Sequence, residues 1–478
     1  MFSSARFISR MSLGCSLSLF VTLLITPQSA WAANADGASM SLLWAVPFAG
    51  ILLSIALMPL LAASFWHRHF GKIVTGWTLL FLVPFAATFG ALPTLELSAH
   101  VLIAEYIPFI ILLFTLFTIS GGILFDGNLH GTARLNTCLL ALGTVLASMM
   151  GTTGAAMLLI RPILRANDDR RHNVHVVVFF IFLVANVGGG LTPLGDPPLF
   201  LGFLKGVDFL WTLEHMALPV VLLAVPLLLV FYVIDSYLYR RHDEITGKDP
   251  TPDTPLRIRG KINFLLLAGV VAGVLLSGTW KPGISVDVLG TPIQLQNLLR
   301  DVILLAMAAI SLAITPKAIR QDNEFEWSPI LEVAKLFVAI FFTIAPVIAI
   351  LKAGTHGHLA GVVHLVTNDD GAPIDIMYFW MSGALSSFLD NAPTYLLFFN
   401  MASGDAQVMM DSLGTTLLAI SMGSVFMGAM TYIGNAPNFM VKAIAEQRGV
   451  KMPSFFGYML WSCGLLLPLL VLVTWVTL

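Results

Sequence analysis

The sequence predicts an all-α polytopic membrane protein made of two inverted-topology repeats, each with one re-entrant hairpin and one broken helix. Three observations carry that prediction. The chain of 478 residues is 57% hydrophobic and only 11% charged, whereas soluble domains carry roughly 25% charged residues. Its apolar runs reach the ~20 residues that a helical span needs. Interruptions rich in Gly, Pro, Asn and Asp break those runs in two pairs, aligned at one offset of 239 residues.

The chain opens with a signal-like stretch, 1–32. Arg6 and Arg10 precede an apolar core, "LGCSLSLFVTLLI", and a small-residue site, "SAWAA". It reads as a signal peptide cleaved after Ala32 or as an uncleaved first span, and either leaves Asn34 outside. Full crossings follow at 42–63, 73–92, 99–124, 174–208, 215–239, 262–279, 298–316, 330–352, 412–447 and 455–478. The apolar stretches 135–165 and 374–403 are each interrupted near the middle.

Cations collect in cytoplasmic loops, and this decides how the two interrupted stretches are threaded. With both treated as hairpins that return to the side they entered, the inner loops hold Arg68, Lys72, Arg134, Arg161, Arg165, Arg170, Arg171, Arg240, Arg241, Arg257, Arg259, Lys261, Lys317, Arg320, Arg448 and Lys451. Lys281 is the clearest cation left outside. The first hairpin then dips from the cytoplasm and the second from outside. The segment 240–261 is a cytoplasmic linker between a first half, 42–239, and a second half, 262–478.

The repeat is legible in two alignments. "SMMGTTGAAMLL" from Ser148 matches "SFLDNAPTYLLF" from Ser387, and "LTPLGDPPLFL" from Leu191 matches "MTYIGNAPNFM" from Met430. Thr152 maps to Asn391, Thr192 to Thr431, Gly195 to Gly434 and Asp196 to Asn435. In inverted repeats of this kind, substrate and coupling ions bind near the midplane at discontinuous helices.

The candidate site residues follow. At the first tip, Thr152 and Thr153 offer hydroxyl oxygens and Gly154 lets the backbone turn. At the first break stand Thr192, Gly195 and Asp196. A carboxylate at membrane depth is costly and points to function; Asp196 either binds Na⁺, carries a proton or caps the helix that Pro197 begins. The second tip adds Asp390, Asn391 and Thr394, with Asp390 a ligand or a cap. The second break adds Thr431, Gly434 and Asn435. A sodium site is expected among Asp196, Asp390, Asn391 and Asn435. Glu105 either faces a cavity or lies near the interface. Asp126, Asp235 and Asp301 sit near helix ends and are expected to be solvated, as is the His356, His358, His364 cluster. Cys15, Cys138 and Cys463 read as small hydrophobes.

These features together resemble the ion transporter superfamily, which includes divalent anion/sodium symporters, citrate transporters, arsenite permeases and NhaD-type sodium/proton antiporters. The segments "LDNAPT" and "GNAPN" are the most specific carriers of that resemblance, and the chain from 42 to 478 is similar to the citrate transporter or sodium:proton antiporter group. The resemblance implies a scaffold domain, often with a homodimer contact, and a moving transport domain; the loop charges predict a C-terminus outside, in a bacterial inner (cytoplasmic) membrane. In the dicarboxylate branch each tip bears Ser-Asn-Thr. Here Asn391 and Thr394 match loosely, and the first tip has Thr152 and Thr153 with no asparagine.

Charge favours one substrate class. No Lys or Arg lies in the four interrupted motifs, while Asp196 and Asp390 do. Two carboxylates repel citrate and suit Na⁺ and H⁺ competing for one site, since burial disfavours a bare carboxylate and hard cations take oxygen ligands. The expectation is a sodium/proton antiporter with an elevator-like or rocking mechanism; the alternative is a cation-coupled citrate or dicarboxylate transporter. Nothing resembles a nucleophile–base set, no cofactor is expected, and no basic surface is left for nucleic acid.

Overall fold

Apolar helices dictate the architecture, because a backbone in lipid must satisfy its own polar groups. The computed structural model describes residues 37–127, 129–243, 254 and 257–478. The signal-like stretch 1–32, Cys15 within it, and most of the linker 240–261 lie outside the described residues. Among those described, ten helical stretches are long and apolar enough to cross a membrane. They coincide with expected crossings, with two differences. One of the ten, Ala133–Met150, is an arm of the first hairpin, and the expected crossing 412–447 is carried by the shorter Gly414–Met430. The second span also starts earlier than expected, at Ala63, just after Ala62 leaves helical geometry. Arg68 is tolerated near its start because a long charged side chain can reach back to the interface.

Two small antiparallel sheets were not expected. Leu124–Asp126 pairs with Arg257–Arg259, which brings the end of the linker under the first half. Ser285–Val288 pairs with Thr291–Gln294. Leu289 and Gly290 join the latter pair with φ of 54° and 79°, the left-handed turn that matches strand twist.

Each interrupted helix breaks in the same way. The first runs Val174–Leu183, tightens into a 3₁₀ turn at Val187–Leu191, goes extended, and restarts as Pro197–Leu204. The second runs Gly414–Phe426, Met427–Met430 and Ala436–Gln447. At the equivalent positions Asp196 and Asn435 the backbone angles are −141°, 143° and −149°, 138°.

The hairpins are closed at their bases. The first consists of Ala133–Met150 and Thr152–Ala166. At its open end Asn136 and Asn167 bond each other reciprocally at 2.8 and 2.9 Å. The second consists of Asp375–Phe388 and Asn391–Ala402, with Tyr378 beside Phe398 at 6.1 Å between ring centroids. The two open toward opposite ends of one span, Ser328–Lys352. Arg161 of the first hairpin donates to Glu324, just before that span, at 2.9 Å. Beyond the second hairpin, a Cβ on Gly404 would lie 3.3 Å from the Lys352 Nζ at the other end. Twenty-five residues separate those ends, about 37 Å at 1.5 Å per residue.

The second arm of each hairpin packs on the restarted helix of the other half: Thr152–Ala166 on Ala436–Gln447, and Asn391–Ala402 on Pro197–Leu204. Val174–Leu191 is almost wholly enclosed, whereas Arg68–Phe89 keeps most of its side chains outward. Apolar residues such as Trp475 and Leu460 are exposed, as a lipid-facing surface requires.

Two aspartates expected to be solvated are not. Asp235 is fully buried; its Oδ1 accepts from Arg170 at 2.6 Å and from His175 Nε2 at 2.7 Å, and its Oδ2 from Asn136 at 3.0 Å. Its place near a helix end suggested solvent, but the base of the first hairpin folds over it. Asp301 is largely covered and takes Arg300 Nε at 2.9 Å. Glu105 pairs with Lys205 at 2.6 Å, tying the third span to the end of the first broken helix. The three histidines are not buried.

Asp235→Ala removes the carboxylate that faces the buried Arg170 guanidinium. It is expected to lower stability by about 3–5 kcal/mol, read as a lower thermal midpoint in detergent. Lys442→Ala, which removes the surface pair Lys442–Glu446, should cost less than about 1 kcal/mol in the same measurement.

Candidate ion site at the meeting of the repeats

Each hairpin tip is bolted to its own broken helix by the same bonds. Thr192 donates its hydroxyl to the Ser148 carbonyl at 2.5 Å, and Thr431 donates to Ser387 in the equivalent position. The same hydroxyls accept from Leu194 N and Ile433 N, both at 3.2 Å. Ser148 and Ser387 return bonds to the carbonyls of Gly188 and Met427. Every member of these pairs is shifted by the offset read from the sequence. Gly195 and Gly434 make the fit tight: a Cβ on Gly434 would lie 2.5 Å from the Gly428 oxygen, and one on Gly195 would come closer still to the Gly189 oxygen. Gly151 turns the first tip with φ of +81°, a conformation that favours glycine, and the Thr152 amide then donates to Gly195 O at 2.8 Å.

This framework delivers three donors to one carboxylate. Asp196 Oδ1 accepts from Thr152 Oγ1 at 3.0 Å and from Asn435 Nδ2 at 3.2 Å, and Oδ2 accepts from Asn391 Nδ2 at 2.5 Å. Thr152 and Asn391 are repeat equivalents, and Asn435 is the equivalent of Asp196 itself. The carboxylate therefore sits where the two halves meet. All four side chains are buried. Asp196 starts a helix, but its side chain makes no capping hydrogen bond to that helix.

Asp390 behaves differently. Its Oδ1 accepts from Ala392 N at 3.1 Å and caps the second arm of the hairpin, while Thr394 donates to the Asp390 carbonyl at 3.0 Å. Asp390 nonetheless lines the same cavity as Asp196. Thr153 lines it too, and Gly154 lies close to Ser120 Oγ, which a Cβ would meet at 2.6 Å. Thr192 and Thr431 do not reach the carboxylate, because their hydroxyls serve the backbone.

The cavity measures about 360 Å³. Among the described residues its ionisable side chains are Asp196, Asp390, Glu332 and Tyr432, and no Lys, Arg or His lines it. The Asn391 Oδ1 is buried and has no hydrogen-bond partner among the described residues, so a spare acceptor stands beside the carboxylate. No three His, Cys, Asp or Glu side chains among the described residues converge tightly enough for a metal. The oxygens gathered here are the Asp196 carboxylate, the Thr152 hydroxyl and the Asn391 Oδ1, while both amides present N–H groups to the carboxylate.

Sequence reasoning missed one part. Glu332, near the start of Ser328–Lys352, comes from the opposite side of the cavity; an acid inside an apolar helix was the available signal. Asn438 and Asn186 form the layer behind: Asn186 Nδ2 donates to Asn438 Oδ1 at 2.7 Å, and Asn435 Nδ2 also reaches Ala185 O at 3.1 Å. In this arrangement the Asn435 N–H points toward Asp196.

A family model described as "Putative citrate transport" matches residues 37–478. The chain belongs to that family. Curated relatives are transporters or membrane proteins by name. An "Uncharacterized transporter" of Mycobacterium tuberculosis is 24% identical over 326 residues, 67% of this chain and 71% of the relative. A "46 kDa membrane protein" of Mycobacterium leprae is 25% identical over 339 residues, 69% of this chain and 73% of the relative. The chain is thus a multi-pass membrane protein of a citrate-transport family, and the carboxylate at its repeat junction lies within the matched region.

Gly195→Ala and Gly434→Ala each drive a methyl group into a carbonyl oxygen. Each is expected to cost about 1–3 kcal/mol by overpacking, seen as a lower thermal midpoint, with the Gly195 change the larger because its approach is closer.

Proposed function

We propose that this family member is a sodium/proton antiporter in which Na⁺ and H⁺ compete for Asp196 at the junction of the two repeats. The observation that carries the reading is the charge of the cavity: three carboxylates and, among the described residues, no Lys, Arg or His. An anionic substrate would need the reverse. A carboxylate at membrane depth is too costly to remain bare, so it holds either a proton or a cation in each crossing. Turning the Asn391 or Asn435 amide about its Cβ–Cγ bond exchanges an N–H donor for a carbonyl acceptor. Asp196, the two amides and Thr152 then form an oxygen site for Na⁺, and one proton on Asp196 abolishes its charge. Asp390 adds a second negative charge nearby while capping its helix, and Glu332 adds a third at the cavity wall.

In this reading the hairpins and broken helices move as a unit against the spans of 42–120 and 262–352. The face holding Arg161, Arg165, Arg448 and Lys451 is the cytoplasmic one by the positive-inside rule, which puts the C-terminus outside a bacterial inner membrane. The family description favours a second reading, a cation-coupled citrate carrier in which the carboxylates hold the coupling ion.

The test uses everted vesicles from antiporter-deficient cells with an acid-inside gradient. Added Na⁺ should collapse the gradient. No response to Na⁺ or Li⁺, together with accumulation of labelled citrate in whole cells, would establish the second reading instead. Asp196→Asn should abolish exchange with normal expression. Asp390→Asn keeps a good cap and isolates the charge; it should raise the half-maximal Na⁺ concentration about tenfold, equivalent to a loss of about 1.4 kcal/mol. Wild-type half-saturation in this variant would leave Asp390 with capping alone.

A further inference from the structure

A second cavity lies away from the ion site and has the opposite charge. It is formed by two stretches far apart in sequence, Leu164 to Val174 at and beyond the end of the first hairpin and Arg448 to Lys451 after the second broken helix. Five cations line it, Arg165, Arg170, Arg171, Arg448 and Lys451, against one acid, Asp168. Two more acids stand behind its wall: Asp235 takes Arg170 at 2.6 Å and Glu324 takes Arg448 at 2.6 Å. Arg165 gives one N–H to the Phe125 carbonyl at 3.1 Å, and its Nε is buried with no hydrogen-bond partner among the described residues.

The positive-inside rule accounts for cations in these loops, but not for their convergence on one concavity of about 550 Å³ from both halves of the chain. Other cations assigned to the same side, such as Arg68 and Lys72, lie exposed on a separate helix. Guanidinium groups offer planar forks of N–H donors that match phosphate oxygens, and basic pockets between membrane helices take phosphorylated headgroups. We propose that this pocket binds a phosphate group, and that its ligand bridges the first hairpin to the second broken helix. An anionic phospholipid headgroup and a soluble phosphate share that chemistry. The inference does not depend on which ion the protein transports.

The test measures binding to the purified full-length chain in neutral detergent at constant ionic strength, using native mass spectrometry with phosphatidylglycerol, phosphatidylcholine and inorganic phosphate. Phosphatidylglycerol or phosphate should bind, and Arg171→Ala with Lys451→Ala should weaken that binding at least tenfold. Arg68→Ala with Lys72→Ala should leave it within twofold of wild type. Binding of phosphatidylglycerol without inorganic phosphate identifies the lipid source; binding of inorganic phosphate identifies the soluble one. The proposal is overturned if neither probe binds more tightly than phosphatidylcholine, if the double variant binds like wild type, or if the control pair weakens binding equally. Arg171 and Lys451 are exposed, so folding should survive; should the double variant fail to fold, Lys451→Ala alone serves, with at least a threefold loss expected.

Discussion

A negative charge buried within a membrane protein must be compensated, and this protein directs donors from both of its halves onto one such charge. Asp196 receives a hydroxyl from its own repeat and two amides from the other. Those donors reach it only because both helices unwind at the same level and both hairpins end there. The threonine–carbonyl bolts, the glycine contacts behind them and the Asn186–Asn438 layer all serve to hold that level. Loss of any one would loosen a place where polar groups depend on fixed partners.

The near-symmetry of the site is broken where symmetry would be electrostatically untenable. Positions 196 and 435 are equivalent and in contact. Two aspartates there would set like charges within hydrogen-bond distance in a low-dielectric setting, where repulsion is strong. An asparagine at 435 turns that contact into a bond. Likewise 152 and 391 carry Thr and Asn, two different donors to the same carboxylate. Duplication supplies the frame, and substitution within it leaves one carboxylate, not two, where positions 196 and 435 meet.

Charge is also sorted across the rest of the molecule. The central cavity is acidic, the second pocket is basic, and ion pairs join the hairpins and broken helices to the spans beside them. Glu324 takes both Arg161 and Arg448, while Glu105 takes Lys205. Exposed members of these pairs contribute little to stability. Asp235, wholly enclosed with Arg170 and His175, is the exception, and its role is to close the first hairpin.

Much of this was legible in the chain alone. Apolar run length established the membrane class, and a constant offset paired the breaks, because both are local patterns along the sequence. Thr152, Asp196, Asn391 and Asn435 stood out for the same reason. What tertiary structure decided was partnership. Whether Asp196 or Asp390 caps a helix depends on where neighbouring N–H groups point; Thr192 and Thr431 turned out to hold backbone rather than the carboxylate; Asp235 became buried through residues on three separate elements; and Glu332 joined the cavity across the fold. A side chain's neighbours in space are set by packing between segments hundreds of residues apart, and no spacing along the chain records that.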